Sequence, residues 1–61
     1  MKKYVGFQVE AFYDYYPSQV IDILMERIAI KLNKENLVPV SVSTPVLDEE
    51  HKEVIISVLA Y

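Results

Sequence analysis

Residues 38–61 read VPVSVSTPVLDEEHKEVIISVLAY and contain two apolar alternations separated by a single polar break. Valine or threonine occupies every second position from 38 to 46, and residues 54–60 are mostly apolar at both parities. Side chains of a strand alternate between the two faces of a sheet. Because residues 48–52 form the only polar break, this stretch predicts two antiparallel strands joined by a turn.

A turn centred on Glu50 sets the register of this predicted hairpin. It places Asp48 opposite Lys52, a favourable cross-strand charge pair. The tip, residues 49–51, contains no glycine for the left-handed position of such loops, so a longer turn with the same register is an alternative. The opposed pairs are then Val40 with Ala60, Val42 with Val58, Thr44 with Ile56, and Val46 with Val54.

A strand and a helix precede this hairpin. Residues 3–13 alternate between an apolar and a mixed parity, and Pro17 suits the first turn of a helix that we predict over residues 17–34. This helix has an apolar face at a period of 3.6 residues. The predicted core comprises Val5, Phe7, Val9, Val40, Val42, Ile56 and Val58 on the sheet, and Val20, Ile21, Leu24, Met25, Ile28, Ala29 and Leu32 on the helix.

The element order β-α-β-β predicts an α+β fold in which residues 1–61 form a single domain. Pro39 and Pro45 share one parity, which predicts an edge strand whose proline positions point outward. The last strand is apolar at both parities and suits the centre. We therefore predict a three-stranded antiparallel sheet in the order 1-3-2, with one helix packed on one face.

This order resembles the dodecins, small β-α-β-β proteins that assemble into shells and bind flavins between protomers. The resemblance lies in the element order alone. The dodecin pattern has a tryptophan on the second strand and this chain has none, so neither residues nor a flavin are transferred from that family.

The composition predicts a homo-oligomer. The chain has 61 residues, of which 52% are hydrophobic, and no cysteine. A domain of this size buries only about 60% of its unfolded surface, and disulfides, metals or self-association are the usual means of stabilising it. Without cysteine and with one histidine, self-association is the means that remains.

Charge and hydropathy exclude other partners. The net charge of −3 argues against nucleic acid, which requires a basic surface. No apolar run reaches the roughly 18–20 residues of a membrane-spanning helix, so we expect no membrane partner. The absence of cysteine and of a signal segment favours a cytoplasmic protein.

Two apolar surfaces remain for the oligomer interface, since one helix covers only one face of the sheet. The helix also has a narrow apolar stripe between an acidic flank, Asp22 and Glu26, and a basic flank, Arg27 and Lys31. The first strand carries no proline, so sheet extension along it is another route to an oligomer. The predicted oligomer residues are Tyr4, Phe12, Ile55, Leu59 and Tyr61 on the sheet, and Ile23 and Ile30 on the helix.

Residues 12–18, FYDYYPS, hold three of the five tyrosines at the predicted helix start. Helix N-termini favour anions, and tyrosine is enriched where proteins bind partners. Tyr13, Tyr15, Tyr16 and Ser18 are therefore predicted to bind a protein partner or a small anionic ligand. The alternative is that these rings cover the open end of the core.

Catalytic and metal-binding patterns are missing. The acidic residues around His51 lack calcium-loop spacing and suit a solvated turn. No serine has a readable base near it, and there is no glycine-rich phosphate loop. We predict no cofactor, no metal and no enzymatic activity, although sequence does not show which groups meet between protomers.

The sequence thus predicts a cytoplasmic, self-associating protein-interaction module, an accessory factor or an inhibitor of a host or phage protein. The alternative is an oligomer that binds or sequesters a nucleotide-like or aromatic anion between protomers.

Overall fold

The computed structural model describes residues 3–61, which form one helix and an antiparallel sheet of four strands. The α+β class and the single helix agree with the prediction. The number of strands does not, because the second predicted strand is divided in two. The elements are β1 (Val5–Phe12), α1 (Ser18–Lys34), β2 (Pro39–Val42), β3 (Val46–Asp48) and β4 (Glu53–Ala60).

β4 lies at the centre of the sheet. β1 pairs with one edge of it, and β2 and β3 pair with successive parts of the other edge, all antiparallel. The central place predicted for the last strand is therefore confirmed. The predicted order 1-3-2 needs one correction. The second predicted strand is replaced by two short strands, β2 and β3, along the same edge of β4.

The odd-numbered residues of β4, and Tyr61 after it, turn their backbone hydrogen-bonding groups toward β2 and β3. The N–H of Ser43 donates to the oxygen of Ser57 across 2.8 Å, and Val38 and Tyr61 exchange two backbone bonds of 2.7 and 2.9 Å. Hydrogen-bonded and non-hydrogen-bonded pairs alternate along an antiparallel ladder. A residue opposite an odd-numbered position of β4 must therefore supply an N–H.

Pro39 and Pro45 explain why the second predicted strand is interrupted. The predicted register places Pro39 opposite Tyr61 and Pro45 opposite Ile55, two positions at which proline has no N–H to donate. The pairing register on β4 shifts by one residue beside each proline, and the two shifts have opposite directions. The observed pairs are Pro39–Ala60, Ser41–Leu59, Val42–Val58, Val46–Ile55, Leu47–Val54 and Asp48–Glu53.

The predicted pair Val42–Val58 is thus confirmed, and the others are not. The prediction of one unbroken strand is wrong for the same reason. The edge position is confirmed, and Pro39 lies opposite the even-numbered Ala60, where its missing N–H is on the outer side. The turn is also longer than the three-residue tip: Asp48 faces Glu53, and Lys52 has a positive φ of 51°. The predicted cross-strand pair of Asp48 with Lys52 is therefore wrong.

The core lies between α1 and the half of the sheet formed by β1 and β4. Leu24 and Ile28 of the helix are buried against β4. Met25 and Ala29, predicted in the core, are exposed, and so are Val5, Val40 and Val42. Val40 and Val42 are exposed because α1 packs on β1 and β4 and leaves β2 largely uncovered. The buried strand residues are Val54, Ile56, Val58 and Ala60.

The molecule is elongated for its size. Its principal extents are 43 × 17 × 13 Å and its radius of gyration is 12.4 Å, whereas a compact domain of this length has a radius of about 10.5 Å. A long, thin sheet with one helix leaves much apolar surface in contact with solvent.

Candidate functional site

The sheet face that α1 does not cover, which we call the open sheet face, carries exposed apolar side chains with polar ones among them. Opposed residues of an antiparallel pair lie on the same face, and the register places Leu59, Ile55 and Phe12 on the side away from the helix. Phe12 is 72% and Leu59 39% exposed. The apolar residues of the open sheet face are Tyr4, Phe12, Val46, Ile55, Leu59 and Tyr61, and the polar residues between them include Gln8, Glu10, Ser41 and Ser57.

The structure brings five of the predicted oligomer residues together on this face. At one end the rings of Tyr4 and Tyr61 meet edge to face, with centroids 6.3 Å apart and planes at 80°. This geometry is a favourable one for aromatic pairs. Phe12 lies at the other end, opposite Glu53.

Val46 is a member of this face that the predicted register instead paired with Val54. It faces Ile55 and is 57% exposed. The signal that could have placed it correctly is Pro45, whose missing N–H forces the shift of β3 by one residue. The same shift turns Leu47 to the helix side, where it is 47% exposed beyond the reach of α1.

The tyrosine-rich loop divides into a packed and an exposed part. Tyr13 packs against the core, and its N–H donates to the oxygen of Lys52 across 2.9 Å. Tyr15 and Tyr16 are 83% and 67% exposed. Ser18 is the first helical residue and is exposed. Tyr13 therefore covers the end of the core, and the two exposed rings stay available for a partner.

A basic flank of α1 lies along the outer edge of β1. Nη1 of Arg27 donates to the backbone oxygen of Glu10 across 3.4 Å, and Nζ of Lys31 lies 5.1 Å from the centroid of the Phe7 ring. A cavity of about 380 Å³ on this flank is lined by Arg27, Ile30, Lys31, Lys34 and Glu35.

Ile30 and Ile23 have different surroundings, although the sequence places them on one stripe. Ile30 is 58% exposed and lines this basic cavity, whereas Ile23 is 46% exposed and is absent from its lining. The inclusion of Lys34 in the cavity was missed by sequence analysis. The spacing of Arg27, Lys31 and Lys34, four and then three residues, could have indicated it, since such residues share a helix face.

His51 and Asp48 form a hydrogen-bonded pair at the turn before β4. Nδ1 of His51 lies 2.8 Å from Oδ2 of Asp48, and the backbone N–H of His51 donates to Oδ1 across 3.3 Å. The side-chain bond and the negative charge of Asp48 raise the pKa of His51. The same side-chain bond, followed by the backbone bond, lowers the pKa of Asp48. The side chains of His51 and Asp48 are 66% and 37% exposed, and their two hydrogen bonds connect the start of the turn to its middle.

Within residues 3–61, no three histidine, cysteine, aspartate or glutamate side chains come together in a group that could hold a metal ion. No helix in the same range is long and apolar enough to cross a membrane.

No protein-family model, curated protein or solved structure gives a significant match to this chain.

Proposed function

We propose that this chain is a self-associating protein-interaction module whose open sheet face is covered by a second copy. The observation that carries the proposal is the apolar character of that face, from Tyr4 and Tyr61 at one end to Phe12 at the other. Several large apolar side chains exposed on one surface indicate an interaction site. The elongated shape supports the proposal, because a second copy would supply the layer that this thin sheet lacks.

The proposed role is binding without catalysis, in the cytoplasm, as an accessory factor or an inhibitor that occupies the surface of a host or phage protein. The exposed rings of Tyr15 and Tyr16 support this role, since tyrosine contributes rigid contact area at protein interfaces. They lie outside the open sheet face and are therefore free to contact a partner while that face is covered.

The experiment is a measurement of solution mass by light scattering at several concentrations. We expect a multiple of the 7.1 kDa chain mass for the unchanged protein. The variant Val46→Lys with Leu59→Lys places two charges on the open sheet face and is expected to be monomeric. The control Met25→Lys with Ala29→Lys places the same two charges on exposed positions of α1 and keeps the wild-type mass. A monomer at every concentration contradicts the proposal.

The alternative function is a small anionic ligand held between protomers near Tyr13, Tyr15 and Tyr16. The observation that favours an anion is the basic cavity on α1. None of these three tyrosines lines that cavity. A melting-temperature screen against nucleotides and flavins tests the ligand directly, because binding to the folded state raises the melting temperature.

A further inference from the structure

Among residues 3–61, β1 pairs with β4 alone, so its other edge can accept a further strand. Tyr13 donates its N–H to Lys52, and with the register of β1 on β4 this turns the backbone groups of odd-numbered residues inward. Gly6, Gln8 and Phe12 therefore direct their N–H and C=O groups away from the sheet, as does Glu10, whose oxygen accepts the bond from Arg27. β1 is eight residues long and contains no proline that would blunt this edge.

The basic flank of α1 adds charge selectivity to this edge. Arg27, Lys31 and Lys34 line the cavity together with one carboxylate, Glu35, in a chain whose net charge is −3. Nζ of Lys31 lies 2.6 Å from Oε2 of Glu35, but both side chains are more than 40% exposed. Exposed ion pairs contribute little to stability, so a carboxylate from a partner can replace Glu35 as the ligand of Lys31.

We propose that the edge of β1 and this basic flank together bind an acidic peptide, which adds to the sheet as a further strand. Strand addition of this kind obtains affinity from backbone hydrogen bonds and selectivity from side chains at alternate positions. Ile30, exposed in the cavity, would contact the aliphatic part of a glutamate side chain of the peptide. The inference rests on the proposed function in that both treat the chain as a binding module.

The spacing of the cations matches acidic residues at every second position of the peptide. Arg27 and Lys31 are separated by about 6 Å along the helix axis, at 1.5 Å per residue. Two residues of an extended strand span about 6.6 Å. A peptide with the pattern Glu-x-Glu can therefore present one carboxylate to each cation.

A second copy of the chain is a poorer occupant of this edge. Two β1 strands that pair antiparallel are related by a two-fold axis perpendicular to the sheet, so both helices lie on the same side. Arg27 and Lys31 of one copy would then face the same residues of the other. Like charges across an interface oppose association, whereas an acidic strand is attracted.

The test is fluorescence anisotropy with a labelled eight-residue peptide of alternating Glu and Val, added to the full chain. We expect saturable binding that is weakened roughly tenfold by Lys31→Glu, since a charge-assisted hydrogen bond is lost. The matched control Lys52→Glu makes the same change in net charge at the turn before β4, outside the basic cavity, and is expected to bind as the unchanged protein does. Equal weakening by both variants overturns the proposal.

A second comparison tests the strand itself. A peptide that is methylated at every backbone nitrogen keeps its charges but cannot donate hydrogen bonds to β1, and we expect it not to bind. Equal binding of both peptides, or their equal displacement by an oligonucleotide or inorganic phosphate, reveals an unspecific anion surface and overturns the proposal. A monomeric protein that still binds the peptide contradicts the self-association proposal alone.

Discussion

Ser43 and Ser57 exchange two hydrogen bonds at the point where β2 ends. The N–H of Ser43 donates to the backbone oxygen of Ser57 across 2.8 Å, and the N–H of Ser57 donates to Oγ of Ser43 across 2.9 Å. A side-chain oxygen thus replaces the backbone carbonyl that a regular ladder would supply. This substitution lets β2 end without leaving the N–H of Ser57 unpaired.

The first prediction concerns this bond. Ser43→Ala removes the acceptor of the Ser57 N–H and is expected to lower the free energy of unfolding by about 1 kcal/mol. Chemical denaturation at one fixed protein concentration measures the change. Ser41→Ala is the matched control, because no side-chain bond of this kind involves Ser41, and it should change stability by less than about 0.5 kcal/mol. Equal effects of the two variants would contradict the role assigned to Ser43.

The sequence predicted the parts of the fold that depend on local periodicity. The bounds of α1 and the central place of β4 follow from a 3.6-residue apolar face and from a strand that is apolar at both parities. The division of the second predicted strand depends on which backbone groups of β4 face it. That parity is set by the pairing of distant residues, as between Ser43 and Ser57, and no local pattern contains it.

The residues of the open sheet face were likewise predictable where local alternation alone decides the face of a side chain. Leu59 and Ile55 were placed on the open sheet face by alternation within one strand. Val46 was not, because its face depends on the shift that Pro45 imposes. Val42 has the predicted register and is exposed nevertheless, since the reach of a single helix across the sheet is a tertiary property.

The second prediction concerns that shift. Pro45→Val restores an N–H and removes the reason for the register of β3, so we expect Val46 to move opposite Val54. NMR should then show a short Hα–Hα contact between residues 46 and 54, which form a non-hydrogen-bonded pair in that register. The control Thr44→Val alters a neighbouring side chain without adding an N–H and should keep Val46 opposite Ile55. Retention of the wild-type register in the Pro45 variant would contradict the explanation.

The third prediction tests the core. Leu24 has no exposed surface, so Leu24→Ala leaves a cavity between α1 and β4 and is expected to cost about 2–5 kcal/mol. Met25→Ala truncates the next residue of the same helix, which is 46% exposed, and should cost much less. Urea denaturation of both variants at one protein concentration measures the difference. A larger loss at Met25 than at Leu24 would show that α1 packs on another face.

The fourth prediction concerns the left-handed residue of the turn. Lys52 has a φ of 51°, a conformation that costs residues with a Cβ about 1 kcal/mol relative to glycine. Lys52→Gly is therefore expected to be more stable than Lys52→Ala by about 0.5–1 kcal/mol. Both variants lose the same charge, so thermal denaturation of the pair isolates the backbone effect. A less stable glycine variant would contradict the strain assigned to this position.

The fifth prediction concerns the pH dependence of the turn. The raised pKa of His51 stabilises the fold fully below its ordinary value of 6.5, and this contribution is lost as the pH rises through the raised pKa. The lowered pKa of Asp48 contributes fully above 3.8 and is lost as the pH falls through the lowered value. The pair therefore stabilises the turn most between pH 3.8 and 6.5. An NMR titration of the imidazole should give a midpoint above 6.5 that falls in Asp48→Asn and stays nearly unchanged in Glu50→Gln. A midpoint at or below the ordinary value in the unchanged protein would show that the bond from His51 to Asp48 does not persist in solution.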